Sequence, residues 1–425
     1  MIHFLIKGLL RDRQRSLIPI LVVALGTMLT VVLHAWITGI MGESIEFNAR
    51  FEYGHVSVMT QGFAEKQDQF PNEYALTGVD TILKTLQKHF PDMLWVQRIR
   101  FSVLIDVPDS MGETRAQGPA AGMGIDFFTP GSQEPQKLNL LSAIRQGRLP
   151  EKEGEILLSD EFCSKIGLKP GDKVTCIANT MLGGMSFVNF TLAGTVSFGS
   201  PALDRGFMIA DIHDAQYLLD MEDAASLVLG FFSGSGYEKE LAIEAKKRFE
   251  TVYPPKPDDP FYPVMLSMND QPLMSVMLTM SSMMSGIIIS VFVFAMALVL
   301  WNAGLLGGLR RYGEVGIRLA MGEEKKHIYG SMLAESFFIG LAGSLAGTIL
   351  GLILAWVLQT KGIDMTSSMK GMTLLMSTNF HARITAPAYY IGFIPGIFST
   401  LLGTALSGIG IYRRQTATLF KEFEA

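Results

Sequence analysis

Four apolar stretches constrain this chain more than any other feature. A membrane-crossing helix needs about 20 mostly apolar residues, because each residue advances only ~1.5 Å through roughly 30 Å of hydrocarbon. Leu17 to Met41 meets that length with one ionisable residue, His34. Residues 277–306 carry no formal charge, 328–358 carry only Glu335, and 384–411 carry none. Composition agrees: 48% of residues are hydrophobic and 18% are charged, against roughly 25% charged in soluble domains.

The basic start of the first stretch would suit a cleaved signal peptide. Its apolar core is too long for one, since such cores span about 7–15 residues, so a retained anchor helix is expected. Basic residues then set orientation, because cytoplasmic flanks are enriched in Lys and Arg. Lys7, Arg11, Arg13 and Arg15 place the N-terminus inside. Arg310, Arg311, Arg318, Lys325 and Lys326 do so for the loop after the second span, and Arg413, Arg414 and Lys421 for the C-terminus. The expected order is 1–16 cytoplasmic, 17–41 span, 42–276 extracytoplasmic, 277–306 span, 307–327 cytoplasmic, 328–358 span, 359–383 extracytoplasmic, 384–411 span and 412–425 cytoplasmic.

Small residues recur every fourth position along the third span. One row is Gly343, Gly347 and Gly351; a second is Ser336, Gly340, Ser344 and Thr348. Such rows let helix backbones approach closely in lipid, and two of them on one helix predict packing on two sides. The fourth span adds Gly392, Gly396, Gly403, Ser407 and Gly408.

The 42–276 segment reads as mixed α and β, punctuated by Pro and Gly. Alternation predicts a strand over 54–59 and a strand-pair region over 95–107, and helical spacing covers 79–90. Gly147 to Pro150 is expected to end a helical piece. Glu155 to Ser159 then reads as a strand, Asp160 to Ile166 as a short helix capped by Ser159 or Asp160, and 167–172 as a turn. Residues 173–178 and 187–196 read as strands and 214–219 as a helix. Cys163 and Cys176 fall on the short helix and the next strand; a disulfide in an oxidising exterior and two buried thiols are both open.

Catalytic signatures are missing from the sequence. Gly167 to Lys173 has glycines and a lysine, but not the phosphate-loop spacing or its hydroxyl residue, so ATP hydrolysis and a cofactor in this chain are not expected. No H-E-x-x-H, C-x-x-C or G-x-S-x-G pattern occurs, and the seven histidines are scattered. His34 reads as a packed or interfacial residue. The net charge of −5 lacks the basic stripe of a nucleic-acid binder. Of 25 methionines, Met274, Met277, Met280, Met283 and Met284 share helical spacing. They suit flexible apolar packing against lipid, or a soft-metal or adaptable ligand surface.

The segment Leu309 to Gly322 is amphipathic. Arg311, Glu314 and Arg318 share one helical face, and Glu314 precedes Arg318 by four, the favourable order for a helix pair. It reads as an interfacial helix on lipid or as a docking helix for a cytosolic partner. Here the chain resembles the FtsX-like, or MacB-type, ABC permease family. The matching signature is Arg311, Glu314, Val315, Gly316, Ile317, Leu319, Ala320, Met321 and Gly322, followed by Glu335 and spaced Gly340, Gly343 and Gly347. At the C-terminus, Ser407-Gly408 and the Arg413-Arg414 pair match, although the family's proline is missing. Gly147-Arg148, Glu155 to Leu158 and Ile166 to Asp172 resemble its extracytoplasmic domain, and Gly54-His55-Val56 with Gly62-Phe63 resembles the lipoprotein-releasing branch.

The resemblance implies an α-helical membrane protein with four transmembrane helices and an α+β, MacB-type periplasmic domain inserted between helices 1 and 2. It implies a permease in the bacterial inner membrane that pairs with a second, identical or different, permease subunit and with a cytosolic ATPase dimer carrying ATP and Mg. Arg311, Glu314, Val315, Gly316, Arg318 and Gly322 would couple to that ATPase, and Glu335 would be an intramembrane acid needing a partner, Arg318 first. The implied function is to extract or release a lipoprotein or other lipidated or amphipathic cargo. Peptide or antibiotic efflux, and regulation of a cell-wall hydrolase or sensor kinase, are the competing functions.

Overall fold

The computed structural model describes residues 13–109, 111–199, 201–234, 236–256, 258–364 and 379–413, and the side chains of 303–316 are not among those described. In chain order the main elements are helix α1 (Arg13–Asn48), β1 (Val56–Thr60), α2 (Val79–His89), β2 (Met93–Pro108), β3 (Thr114–Ile125), β4 (Ile144–Gly147), β5 (Glu155–Ser159) and α3 (Asp160–Ile166). There follow β6 (Lys173–Asn179), β7 (Met185–Val196), β8 (Phe207–Asp211), α4 (Ile212–Leu219), β9 (Leu227–Phe232), α5 (Lys239–Val252), β10 (Pro263–Ser267), α6 (Pro272–Ala320), α7 (Lys325–Lys361) and α8 (Phe393–Arg413). Two compact units result: residues 1–41, 279–363 and 380–425, and residues 42–278 with 364–379.

The first unit is helical. Among the described residues, Leu17–Tyr53, Lys325–Lys361 and Ala386–Gly408 are long and apolar enough to cross a membrane, and the shorter apolar run Gly286–Asn302 lies within α6. With that run the chain has four membrane helices. Each meets its neighbours through small residues. A Cβ on Gly343 would lie 2.7 Å from Val23 Cβ, one on Gly351 2.9 Å from Val31 Cβ, and one on Gly340 3.1 Å from the Gly396 carbonyl oxygen. Gly403 sits as tightly against Leu300, and Gly26 against Met296. So α1, α7, α8 and α6 close a bundle. Two of its hydroxyls bond back into their own helix, Thr30 to the Gly26 carbonyl at 2.8 Å and Thr27 to that of Val23 at 2.9 Å, so they hide their donors from lipid.

The second unit is built on β2. Its residues 93–98 pair with β9, 99–108 with β3, and 103–106 also with β6. From there the ladder runs β3–β8 parallel, β8–β5 antiparallel, β5–β7 parallel and β7–β6 antiparallel, back to β2. Six strands therefore close a ring, which removes exposed edges. The ring's interior takes every second residue of β2, Ile99, Phe101, Val103, Ile105 and Val107, all buried. Beyond Ile99 the same strand joins an open antiparallel sheet, β2–β9–β1–β10. This corrects two expectations: residues 95–107 are one continuous strand rather than a strand pair, and Ile144–Gly147 is a strand rather than the end of a helix.

Cys163 and Cys176 are free, buried thiols. Burial pushes both up to about 12, and only the thiolate is an effective nucleophile. We expect a maleimide to label neither cysteine in the native chain and both after denaturation, read by intact mass; prompt native labelling would contradict this packing.

Candidate functional site

The turn between α6 and α7 is the site where the amphipathic signature ends. Helix α6 runs unbroken to Ala320, so residues 309–320 extend one long helix and do not form a separate short one. It stops in a Schellman arrangement: the Glu323 amide donates to the Arg318 carbonyl and the Gly322 amide to that of Leu319, both at 3.0 Å. Gly322 takes φ +92°, a left-handed conformation that favours glycine at this position. The final glycine of the signature is thus what lets the chain turn back.

Side-chain charge spans the same turn. The Glu323 carboxylate forms an ion pair with Arg318 Nε at 3.6 Å and a hydrogen bond with His327 Nδ1 at 2.7 Å. Arg318, named above as first partner for Glu335, thus pairs with Glu323. Glu335 itself is half-buried on α7. Arg311, Glu314, Val315 and Gly316 lie on the helical backbone of α6, with side chains outside those described. The apolar flank of the turn is open: Ile317 is 60% and Met321 75% exposed. Sequence reasoning passed over Glu323 and His327; their i, i+4 spacing directly after the capping glycine was the available signal.

The two small-residue rows of α7 face different partners. Gly343, Gly347 and Gly351 lie against Val23, Ala24, Thr27 and Val31 of α1. Gly340, Ser344 and Thr348 lie against Gly396 and Thr400 of α8 and against Gly392 in the turn just before it. The methionine series divides as well: Met274 is buried against Ala49 and Met268, while Met280 and Met283 are exposed. Among the described residues no group of three or more His, Cys, Asp or Glu side chains is placed to hold a metal ion.

In the soluble unit, the sequence pattern around Gly147-Arg148 and Glu155 proves to be a clamp. Arg148 Nη1 and Nη2 donate to Glu155 Oε2 and Oε1 at 2.7 and 2.8 Å, and the Glu151 amide adds a third bond at 3.0 Å. These bonds, Arg148's above all, hold the Glu155 carboxyl at about 2. Gly147, at φ +78°, abuts the Gly194 Cα of β7. The pattern closes the loop before β5 and presents no reactive group. The Asp211 and Asp270 carboxylates are likewise occupied, Asp211 by the Phe127 and His213 amides and the His213 ring, and Asp270 by the Ser267 amide and hydroxyl and by Lys246 Nζ.

Residues 286–416 match the family described as FtsX-like permease C-terminal, a span that includes the end of α6, the turn, α7 and α8. The lipoprotein-releasing system transmembrane protein LolC of Xylella fastidiosa (strain Temecula1) is 23% identical over 302 residues, 69% of this chain and 68% of that protein. An uncharacterised ABC transporter permease of Methanocaldococcus jannaschii is 28% identical over 143 residues, 32% of this chain and 35% of its own length. The periplasmic region of MacB from Actinobacillus actinomycetemcomitans aligns with a TM-score of 0.33 at 14% identity, covering 50% of this chain and 87% of that structure.

Proposed function

We propose that this chain is an FtsX-like ABC-transporter permease subunit that relays ATP-driven motion to its extracytoplasmic domain so as to extract or release lipoprotein or other lipidated or amphipathic cargo. Such a permease works with an ATPase partner and contributes no ATPase of its own. The observation that carries the reading is the coincidence of the family match at 286–416 with the α6–α7 turn and the three helices around it. The similarity to LolC over 302 residues supports the choice of cargo. Both termini and the α6–α7 turn face the cytoplasm, in keeping with Arg318, Lys325 and Lys326 at that turn, and the 42–276 segment faces outward. Arg311, Glu314, Val315, Gly316, Arg318 and Gly322 form the surface on which an ATPase dimer presses. A second permease subunit, identical or different, completes the pair.

The turn suits that role physically. A push on α6 reaches α7 only if the connection does not bend, and the Schellman cap with the Glu323 contacts stiffens it on both its backbone and side-chain sides. Glu335 is the acid just beyond, costly in a membrane helix unless it is partnered.

Two measurements test the reading. In the purified permease–ATPase complex, Glu314→Arg is expected to remove the response of ATP hydrolysis to cargo while the complex still purifies. An unchanged response would mean that this segment does not couple. Mass spectrometry of the complex isolated in native lipid is expected to find an acylated protein. A bound wall hydrolase without lipid would move the function to regulation, and a bound unacylated peptide to efflux.

A further inference from the structure

The soluble unit carries an open cleft of about 790 Å³ on the wall of the strand ring, where β2, β3 and β6 meet α3. That is the size of a small-molecule site, roughly 300–1,000 Å³. Leu104, Phe162, Ile177 and Met185 give it an apolar surface. Its two charged lining residues are Lys165 and Arg205, both cations, and the lining includes no carboxylate. The chain as a whole has 40 acids to 35 bases, so an acid-free apolar cleft with two cations departs from its average surface. Neither cation has an ion-pair partner among the described residues. Asp204, next to Arg205, is held by the backbone amides of Phe198 and Gly199 at 2.7 and 2.9 Å.

We propose that this cleft binds a single-chain acyl carboxylate, the chain lying on the apolar wall and the carboxylate meeting Lys165 and Arg205. The strand pairing decides between this ligand and an acidic peptide. A peptide that docks by adding a strand needs an unpaired edge. Here residues 103–106 of β2 are bonded to both β3 and β6, and β6 is bonded to both β2 and β7. The lining stretch paired on a single side is 117–120 of β3, which bonds β2 alone; Pro119 there has no N–H to offer an added strand, so recognition falls to side chains: apolar area for a hydrocarbon, and a guanidinium fork with an ammonium for a carboxylate. The site stands apart from the cargo reading above and needs no ATPase step.

The test uses the full chain in nanodiscs of zwitterionic lipid with a diazirine-bearing palmitate as the probe and peptide mapping by mass spectrometry. Adducts are expected on the peptides containing residues 102–104, 162–166 and 177–185. The double variant Lys165→Glu/Arg205→Glu, altering exposed side chains only, is expected to cut labelling of those peptides about tenfold, the size of one lost charge-assisted contact. Labelling of the membrane helices, where the probe partitions anyway, stays constant as the internal reference. The methyl ester of the probe, equally apolar and uncharged, is expected to label the helices alone. Wild-type adducts confined to the helices would overturn the proposal, as would equal cleft labelling by the ester or in the variant. Displacement of the probe from the cleft by an acidic peptide without an acyl chain would assign the site to peptides instead.

Discussion

Gly347→Leu is expected to melt the membrane bundle well below the parent, whereas Gly330→Ala on the same helix leaves its stability unchanged or slightly raised. The two glycines differ in what their missing side chains would meet. A Cβ at Gly347 would overlap Thr27 Oγ1 and lie 2.9 Å from the Ala24 Cα of α1. That neighbour is backbone and cannot swing aside. A Cβ at Gly330 meets nothing within 4 Å. Overpacking a tight contact costs roughly 1–3 kcal/mol and sometimes more. In lipid the loss has no hydrophobic compensation, because helix association there depends on close packing. At the open position an alanine gains about 0.5–1 kcal/mol of helix propensity over glycine. Thermal melts of the detergent-purified variants, followed by monodisperse size-exclusion signal, give the answer. Equal melting of the two would mean that α1 and α7 do not meet along this row.

That contact was readable beforehand because its information is local. A four-residue repeat of small side chains on an apolar helix states its own packing, and the capping glycine at 322 sits where a signature helix must stop. The helix Asp160–Ile166 and the strand Glu155–Ser159 were equally readable, since each is a short run of one pattern between turn residues. Ring closure was not. It depends on β2 pairing with β3 along most of its C-terminal half while residues 103–106 also pair with β6, and alternation along a strand tells which face is buried without telling how many neighbours the strand has. Alternation over 95–107 suggested a strand pair; the structure shows one strand, Met93–Pro108, with Arg98 buried on it. The strand Ile144–Gly147 was missed for a similar reason. Its three outer residues, Arg145, Gln146 and Gly147, are exposed, and it is held by pairing with β7 rather than by apolar periodicity. The acid-free cleft gathers residues from 102 to 206 and has no signature in any one of them.

Arg98 leads to the second large effect, in the soluble unit. Its side chain is 2% exposed and that of Glu134 1%. Nε and Nη2 donate to the two carboxylate oxygens at 2.8 and 3.0 Å, and Nη1 donates to the Phe51 carbonyl at 3.0 Å. The fork thus ties β2 to the segment around Glu134 and to the chain that leads in from α1. Two charges taken so far out of water repay their desolvation only while they are together. Arg98→Ala leaves a buried carboxylate alone and orphans the Phe51 carbonyl; Glu134→Ala leaves a buried guanidinium. Each single change is expected to cost about 3–5 kcal/mol. The double change Arg98→Met/Glu134→Leu keeps the volume and removes both charges, so it is expected to recover most of that loss, less the bond to Phe51. Limited proteolysis of the full chain in nanodiscs, scored on cleavage within residues 42–278, compares the three. If the double variant is as labile as the singles, the pair contributes through shape rather than charge. Single variants as resistant as the parent would mean that the pair does not hold this part of the domain together.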